Sequence, residues 1–155
     1  KPDQKISRRV SQIHGITNAD VAKSPTFADI SSEVLAMLSG RYLVAHNAAV
    51  DWDVVNRKLP DLQPPAVLDT LRLARAVCPG QDSYGLSKLL VGLDLQSRLE
   101  GVEGQLHRAM YDSEAALQLL FYLAERSPKG QLSARQLIIL SELPQITERR
   151  QGNLF

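Results

Sequence analysis

Apolar residues in this chain come in short stretches of helical spacing, cut apart by Gly, Pro and capping residues. Phe27, Ile30, Val34, Leu35 and Leu38 recur three and four apart behind Thr26. A capped helix is therefore expected over 27–39, with Gly40 as its stop. Tyr42-Leu43-Val44-Ala45 is a continuous apolar run and reads as a buried strand. A helix over 49–59 ends before Pro60, and Val67-Leu68 is a second short strand. Asp69-Thr70 opens a helix to residue 77, which Pro79-Gly80 stops. A short helix at 87–91 and an irregular stretch over 94–106 lead to the longest expected helix, 108–125. Its apolar face carries Ala115, Ala116, Leu119, Leu120 and Leu123. Ser127-Pro128-Lys129-Gly130 is a turn, and Ser133 caps a last helix to residue 143 that Pro144 ends. At the start, residues 1–12 are polar apart from Ile6 and Val10 and read as a strand end or a loop. Thr17 is expected to cap a short helix over 18–22 that Ser24-Pro25 breaks.

Strand and helix alternate around residues 42–77, which is an α/β signature. Two strands, however, are too few to cover the helices that accompany them. The 155 residues suit a single domain with a real core. Hydrophobic residues make up 44% and charged residues 23%, ordinary values for a globular protein in water. The net charge of +1 gives no global field for nucleic acid, although an enzyme that grips a few nucleotides does not need one. The single Cys78 rules out a disulfide framework and a Cys-based zinc knuckle, and fits a reducing compartment. No apolar run is long enough to span a membrane, and Lys1-Pro2-Asp3-Gln4 lacks the apolar core of a signal peptide. No membrane partner is expected, and the expected location is the cytoplasm. No repeat, low-complexity tract or Gly-rich phosphate loop is present. Ser83-Tyr84-Gly85 has no His and Asp in a recognisable nucleophile arrangement, and Asp69-Thr70 reads as a strand end and helix cap.

One frame stands out. His107-Arg108-Ala109-Met110-Tyr111-Asp112 has the form His-x-Ala-x-x-Asp, and so does His46-Asn47-Ala48-Ala49-Val50-Asp51. Two of the three His in the chain start this frame. By average residue usage a given His does so roughly once in a few hundred times. On a helix Asp112 shares a stripe with Ala116, Leu119 and Leu123, and Asp51 lies three and four residues before Val54 and Val55. Both carboxylates are thus expected on inward faces, where an uncompensated charge is costly. Two inward carboxylates from two helices fit a shared site for a hard cation such as Mg²⁺ or Mn²⁺. Taken singly, either Asp also fits the plainer role of satisfying N–H groups in a helix's first turn. His107, at the helix start, is placed to take a proton from a metal-bound water, or else is a capping His. Zinc chemistry is disfavoured, because no His-Glu-x-x-His pattern occurs.

The two frames resemble the second and third motifs of the DEDDh 3′–5′ exonucleases, a family that includes the proofreading subunit of the bacterial replicative polymerase. Three more stretches fit in the family's order: His14-Gly15-Ile16-Thr17, Asp69-Thr70-Leu71-Arg72-Leu73-Ala74-Arg75, and Tyr84-Gly85-Leu86-Ser87-Lys88-Leu89-Leu90. The resemblance implies a ribonuclease H-like α/β fold and two divalent ions, Mg²⁺ or Mn²⁺. It implies Asp51 and Asp112 as metal-site carboxylates and His107 as general base. It places His14, Asn47 and Val50 near the terminal nucleotide, with Val50 where related enzymes often carry an aromatic residue. Residues 1–130 would form the exonuclease domain and 131–155 a C-terminal helix and tail. The family's first motif, an Asp-x-Glu on the first strand, has no match in Lys1–Val10 and is expected ahead of residue 1, together with the opening strands of the sheet.

The implied activity is hydrolysis of DNA from a 3′ end to nucleoside monophosphates, in proofreading or repair, on a single-stranded or frayed end. Gln151-Gly152-Asn153-Leu154-Phe155 resembles the Gln-x-x-Leu-Phe peptide that docks on bacterial sliding clamps, with Gln151, Leu154 and Phe155 as the contact residues. A clamp and a polymerase are therefore expected partners. Two alternatives stay open at this level: a non-catalytic module that docks on a clamp or polymerase, and an exoribonuclease acting on short RNA.

Overall fold

A computed structural model describes residues 1–102, 108–127, 130–146 and 148. Its elements run α1 Arg8–His14, α2 Phe27–Leu38, β1 Leu43–Ala45, α3 Ala48–Lys58, β2 Val67–Asp69, α4 Thr70–Val77, α5 Leu86–Gly92, α6 Ala109–Glu125 and α7 Ala134–Ser141. A 3₁₀ turn, Gln96–Leu99, lies inside the stretch expected to be irregular. The expected strands and the helices from α2 onward are present within a residue or two of their sequence limits. The start of the chain differs. Residues 18–23 form turns instead of a helix, although Thr17 does join a local cap motif with Asp20, whose Oδ2 accepts the Thr17 N–H at 2.7 Å. The helix lies earlier, over Arg8–His14, capped by Ser7 and closed by Gly15 at φ 72°. None of its residues is buried, so no apolar stripe marked it in the sequence.

β1 and β2 pair in parallel, with Leu43 opposite Val67, Val44 opposite Leu68 and Ala45 opposite Asp69. The connection between them is α3, the usual way to join parallel neighbours. On its other side β2 meets the chain after α7: Leu143 N–H donates to the Val67 carbonyl at 3.0 Å, and Leu68 and Glu142 form an antiparallel bridge. Among the described residues β1 has no strand partner besides β2.

The buried apolar residues form two clusters. One joins α4, α5, the 3₁₀ turn and α6 through Leu73, Leu89, Leu95, Leu119 and Leu123. The other gathers Ala48 and Trp52 of α3 with Leu59, Leu62, Val67, Leu143 and Ile146. Asp112 sits half-buried at the head of the α6 stripe whose later members, Ala116, Leu119 and Leu123, are buried. α3 is rotated from its expected face. The helix turns Ala48 and Trp52 inward, leaving Val54 46% exposed and Asp51 exposed as well, on the cleft side rather than on the inward face expected from the sequence. Burying one Trp removes far more apolar surface from water than burying Val54 would, so Trp52 sets the rotation.

Candidate active site

A cleft of about 910 Å³ opens along β1. It is lined by Leu43, Val44, Ala45 and His46, by Asp51 and Trp52 of α3, by Gly85–Ser87 and by Asp112 at the head of α6. The repeated frame thus brings its two carboxylates, from distant parts of the chain, into one space.

Each carboxylate has a structural reason for its place. α6 starts without a side-chain cap at Arg108, and Asp112 lies in its first turn, where the helix dipole favours a negative charge. Asp51 lies in the first turn of α3, which begins at Asn47. Asn47 is left-handed, at φ 62° and ψ 46°, a conformation that Asn tolerates better than most residues. Its side chain makes no cap hydrogen bond. Instead Asp69, at the end of β2, holds the turn: its Oδ1 accepts the N–H of Asn47 and the N–H of Leu71, each at 2.9 Å. One buried carboxylate therefore ties the start of α3 to the start of α4.

Burial raises the proton affinity of the Asp51 carboxyl, its own backbone N–H lowers it, and the charges of Asp69 and Asp112 raise it again. The cleft therefore carries negative potential that a cation relieves. Two carboxylates sharing a solvent-accessible space suit Mg²⁺ or Mn²⁺, which bind through one or two carboxylates and keep several waters. Among the described residues no cluster of three or more His, Cys, Asp or Glu accompanies them.

The other residues expected at the site fall as follows. Asn47 and Val50 flank the cleft-lining Ala48 and Asp51, and Val50 is 61% exposed. His14 lies at the end of α1, where its Nδ1 accepts the Ile16 N–H at 3.0 Å, and it is not part of the cleft lining. His107 and the tail residues Gln151, Leu154 and Phe155 lie outside the described residues. Asp69 ends β2 and caps α4, as its place in the sequence predicts. What sequence reasoning misses is the second contact of each residue: Asp69 with Asn47, and His46 with Thr70 and Tyr84. The available signal was a His and an Asp each closing an apolar strand, the places where a parallel sheet presents side chains to a ligand.

Comparison with known proteins agrees with this architecture. A family model described as Exonuclease, of the RNase T type, matches residues 1–120. The chain belongs to this exonuclease family. It is 35% identical over 129 residues to the 3′-5′ exonuclease DinG of Bacillus subtilis, covering 79% of this chain and 13% of that protein. It is 33% identical over 124 residues to the DNA polymerase III subunit epsilon of Treponema pallidum, covering 76% of this chain and 55% of the relative. A solved structure of exonuclease X in complex with 5′ overhanging duplex DNA superposes with a TM-score of 0.66 at 29% identity, covering 90% of this chain and 76% of that one. The ribonuclease H-like exonuclease fold expected from the motifs is thus the fold of this chain. It spans about half the length of the epsilon subunit it matches, and a small part of DinG. No helix among the described residues is long and apolar enough to cross a membrane.

Proposed function

We propose that this chain is the catalytic part of a metal-dependent 3′–5′ exonuclease that hydrolyses DNA to nucleoside monophosphates, in proofreading or repair. The observation that carries the proposal is the convergence of Asp51 and Asp112 on one cleft, where burial first and then the charges of Asp69 and Asp112 raise the proton affinity of Asp51. Asp51 and Asp112 would hold Mg²⁺ or Mn²⁺ there. When bound, a pair of such ions polarises the scissile phosphate and acidifies the attacking water. Asp51 and Asp112 bind and neutralise, His107 accepts the proton of the water, and Asn47 and Val50 border the place of the terminal nucleotide, with His14 assigned to the same nucleotide by the family motif. An Asp-x-Glu strand laid along the unpaired edge of β1, beside Leu43–Ala45, would add the two carboxylates that complete the family's ligand set.

DNA is the favoured substrate. The exonuclease X relative is described with duplex DNA bearing a 5′ overhang, a duplex that presents a recessed 3′ end. Similarity to polymerase III subunits supports a polymerase as partner, and the tail residues Gln151, Leu154 and Phe155 are assigned to a sliding clamp, in the cytoplasm. Residues 1–130 form the exonuclease unit in this reading, and 131–155 its C-terminal helix and tail.

The test is digestion of a 5′-labelled single-stranded oligonucleotide with Mg²⁺, beside a matched RNA. Stepwise shortening from the 3′ end, lost on chelation and reduced about a thousandfold in Asp112→Ala, is the expected result. Equal activity in Asp112→Ala contradicts the site, and preferential digestion of the RNA contradicts the substrate. Absence of cleavage by the protein and by a longer form carrying Asp-x-Glu leaves a non-catalytic docking module.

A further inference from the structure

The wall of the cleft at Gly85–Ser87 belongs to no strand, and it is held by a histidine. His46 follows β1 directly. Its Nε2 lies 2.8 Å from the carbonyl oxygen of Tyr84, and its Nδ1 lies 2.9 Å from Oγ1 of Thr70. A carbonyl only accepts, so Nε2 carries the hydrogen. In the neutral ring Nδ1 is then the acceptor, and the Thr70 hydroxyl donates to it. The same hydroxyl lies 3.3 Å from the Ala45 carbonyl, the acceptor it would turn to if Nδ1 carried a proton.

The segment that His46 grips is tied at a second point. The Tyr84 hydroxyl donates to the Cys78 carbonyl at 3.0 Å, and the Arg75 guanidinium lies over the Tyr84 ring at 5.7 Å. Tyr84 thus straps the end of α4 by its side chain and the end of β1 by its carbonyl. Gly85, the next residue, is the N-cap of α5, its carbonyl accepting the Leu89 N–H at 3.0 Å. Gly85, Leu86 and Ser87 line the same cleft as Asp51 and Asp112. Burial lowers the proton affinity of His46, against the Tyr84 carbonyl and Asp69, which raise it, so the neutral ring is the working form near pH 7.

We infer that His46 is a positioning residue: as an Nε2–H imidazole bridging Thr70 and the Tyr84 carbonyl, it sets the Gly85–Ser87 wall and so the width of the cleft that admits the terminal nucleotide. The bridge itself stands on geometry alone, and its consequence for a nucleotide rests on the function proposed above. An amide side chain of sufficient length reproduces both bonds, its N–H₂ donating to Tyr84 and its oxygen accepting from Thr70. A Phe keeps a ring and loses both.

The experiment has two arms. In the first, ¹⁵N NMR of the imidazole in the whole chain reads the tautomer, and amide spectra compare His46→Phe and His46→Gln with wild type. The expected result is a protonated Nε2 and an unprotonated Nδ1 at pH 7. His46→Phe shifts the amides of Gly85, Leu86 and Ser87 while those of Leu119 and Leu123 stay in place, and His46→Gln restores them. In the second, single-stranded DNA digestion with Mg²⁺ is expected to show KM raised about 10–100-fold by His46→Phe, with kcat changed far less and with rescue by His46→Gln. A hydrogen on Nδ1 alone, or unmoved Gly85–Ser87 amides in His46→Phe, overturns the bridge. An unchanged KM beside shifted amides overturns its role in admitting substrate. A wild-type chain without nuclease activity removes the reaction reading, and the first arm still decides the bridge; where His46→Phe does not fold, the wild-type tautomer and His46→Gln decide it.

Discussion

Asp69 accepts the backbone N–H of Asn47 at 2.9 Å, and that single bond anchors the left-handed turn from which α3 carries Asp51 into the cleft. Asp69 is 4% exposed, and the same oxygen caps α4 through Leu71. Hydrogen bonds to a buried charged acceptor are worth about 1.5–3 kcal/mol each, and an orphaned N–H costs more than a lost surface contact. Asp69→Ala should therefore destabilise the fold by about 3 kcal/mol and lower Tm by about 6–12 °C in calorimetry. Asp69→Asn keeps the accepting oxygen and should lose about 1 kcal/mol. Equal losses in the two variants would show that the charge of Asp69, rather than its two bonds, stabilises the turn.

The left-handed Asn47 separates fold from substrate contact. Asn47→Gly suits φ 62° and should leave Tm within about 1–2 °C of wild type, while removing the side-chain amide. Asn47→Leu forces a branched side chain into that conformation and should cost about 1–2 kcal/mol in urea unfolding. If the Asn47 amide borders the terminal nucleotide, Asn47→Gly weakens binding of single-stranded DNA with no loss of stability. Unweakened binding removes Asn47 from the substrate site.

Asp51 pays for its position near Asp69 and Asp112. Its carboxyl has a raised proton affinity, from burial first and from the two neighbouring charges. A carboxylate so placed opposes folding when ionised. Asp51→Asn should then raise stability at pH 7, by no more than about 1 kcal/mol because solvent screens a group this exposed. That corresponds to a Tm rise of about 2–4 °C in metal-free buffer. A fall in Tm would show that Asp51 makes a stabilising contact instead.

His46 gives the fold a pH dependence of known sign. Burial holds its folded proton affinity below that of a free imidazole, which titrates near 6.5. Between the two values the unfolded chain binds more protons, so stability is full above about pH 6.5 and falls as the pH drops toward the folded value. The facing charges work in opposite directions, Asp69 raising and Arg75 lowering the affinity. Urea midpoints should fall between pH 7.5 and 5.5 in wild type and fall less in His46→Gln, which cannot titrate. Identical slopes would show that His46 is not buried in the neutral form.

The helices that bury a stripe were legible in the sequence, and α1 was not. α2 announces itself through Thr26, whose hydroxyl receives the Asp29 N–H while Asp29 caps back, and through Phe27, Val34, Leu35 and Leu38 on the Trp52 cluster. α1 holds by Ser7 and Gly15 at its ends, and its Val10 and Ile13 are exposed, whereas the apolar side chains of α2 pack partly buried on a core cluster. The meeting of Asp51 and Asp112 in one cleft is legible because the same six-residue frame runs into the first turn of each helix. The face of α3 was not, because Val54 and Trp52 compete for one interior and only the packed sheet decides between them. Asp69–Asn47 and His46–Tyr84 were hidden for a different reason. Each joins residues far apart in the chain, brought together by the parallel register of Ala45 with Asp69.

The central claim is that Asp51 and Asp112 share one cation site, and paramagnetic broadening by Mn²⁺ tests it most directly. A small fraction of an equivalent of Mn²⁺, added to the ¹⁵N-labelled chain, should broaden the amides around Asp51 and those around Asp112 at the same metal concentration. Asp112→Ala should abolish the broadening at both places, including the amides beside the intact Asp51. Broadening near Asp51 that survives unchanged in Asp112→Ala, or broadening confined to other acidic surfaces, would contradict a shared site.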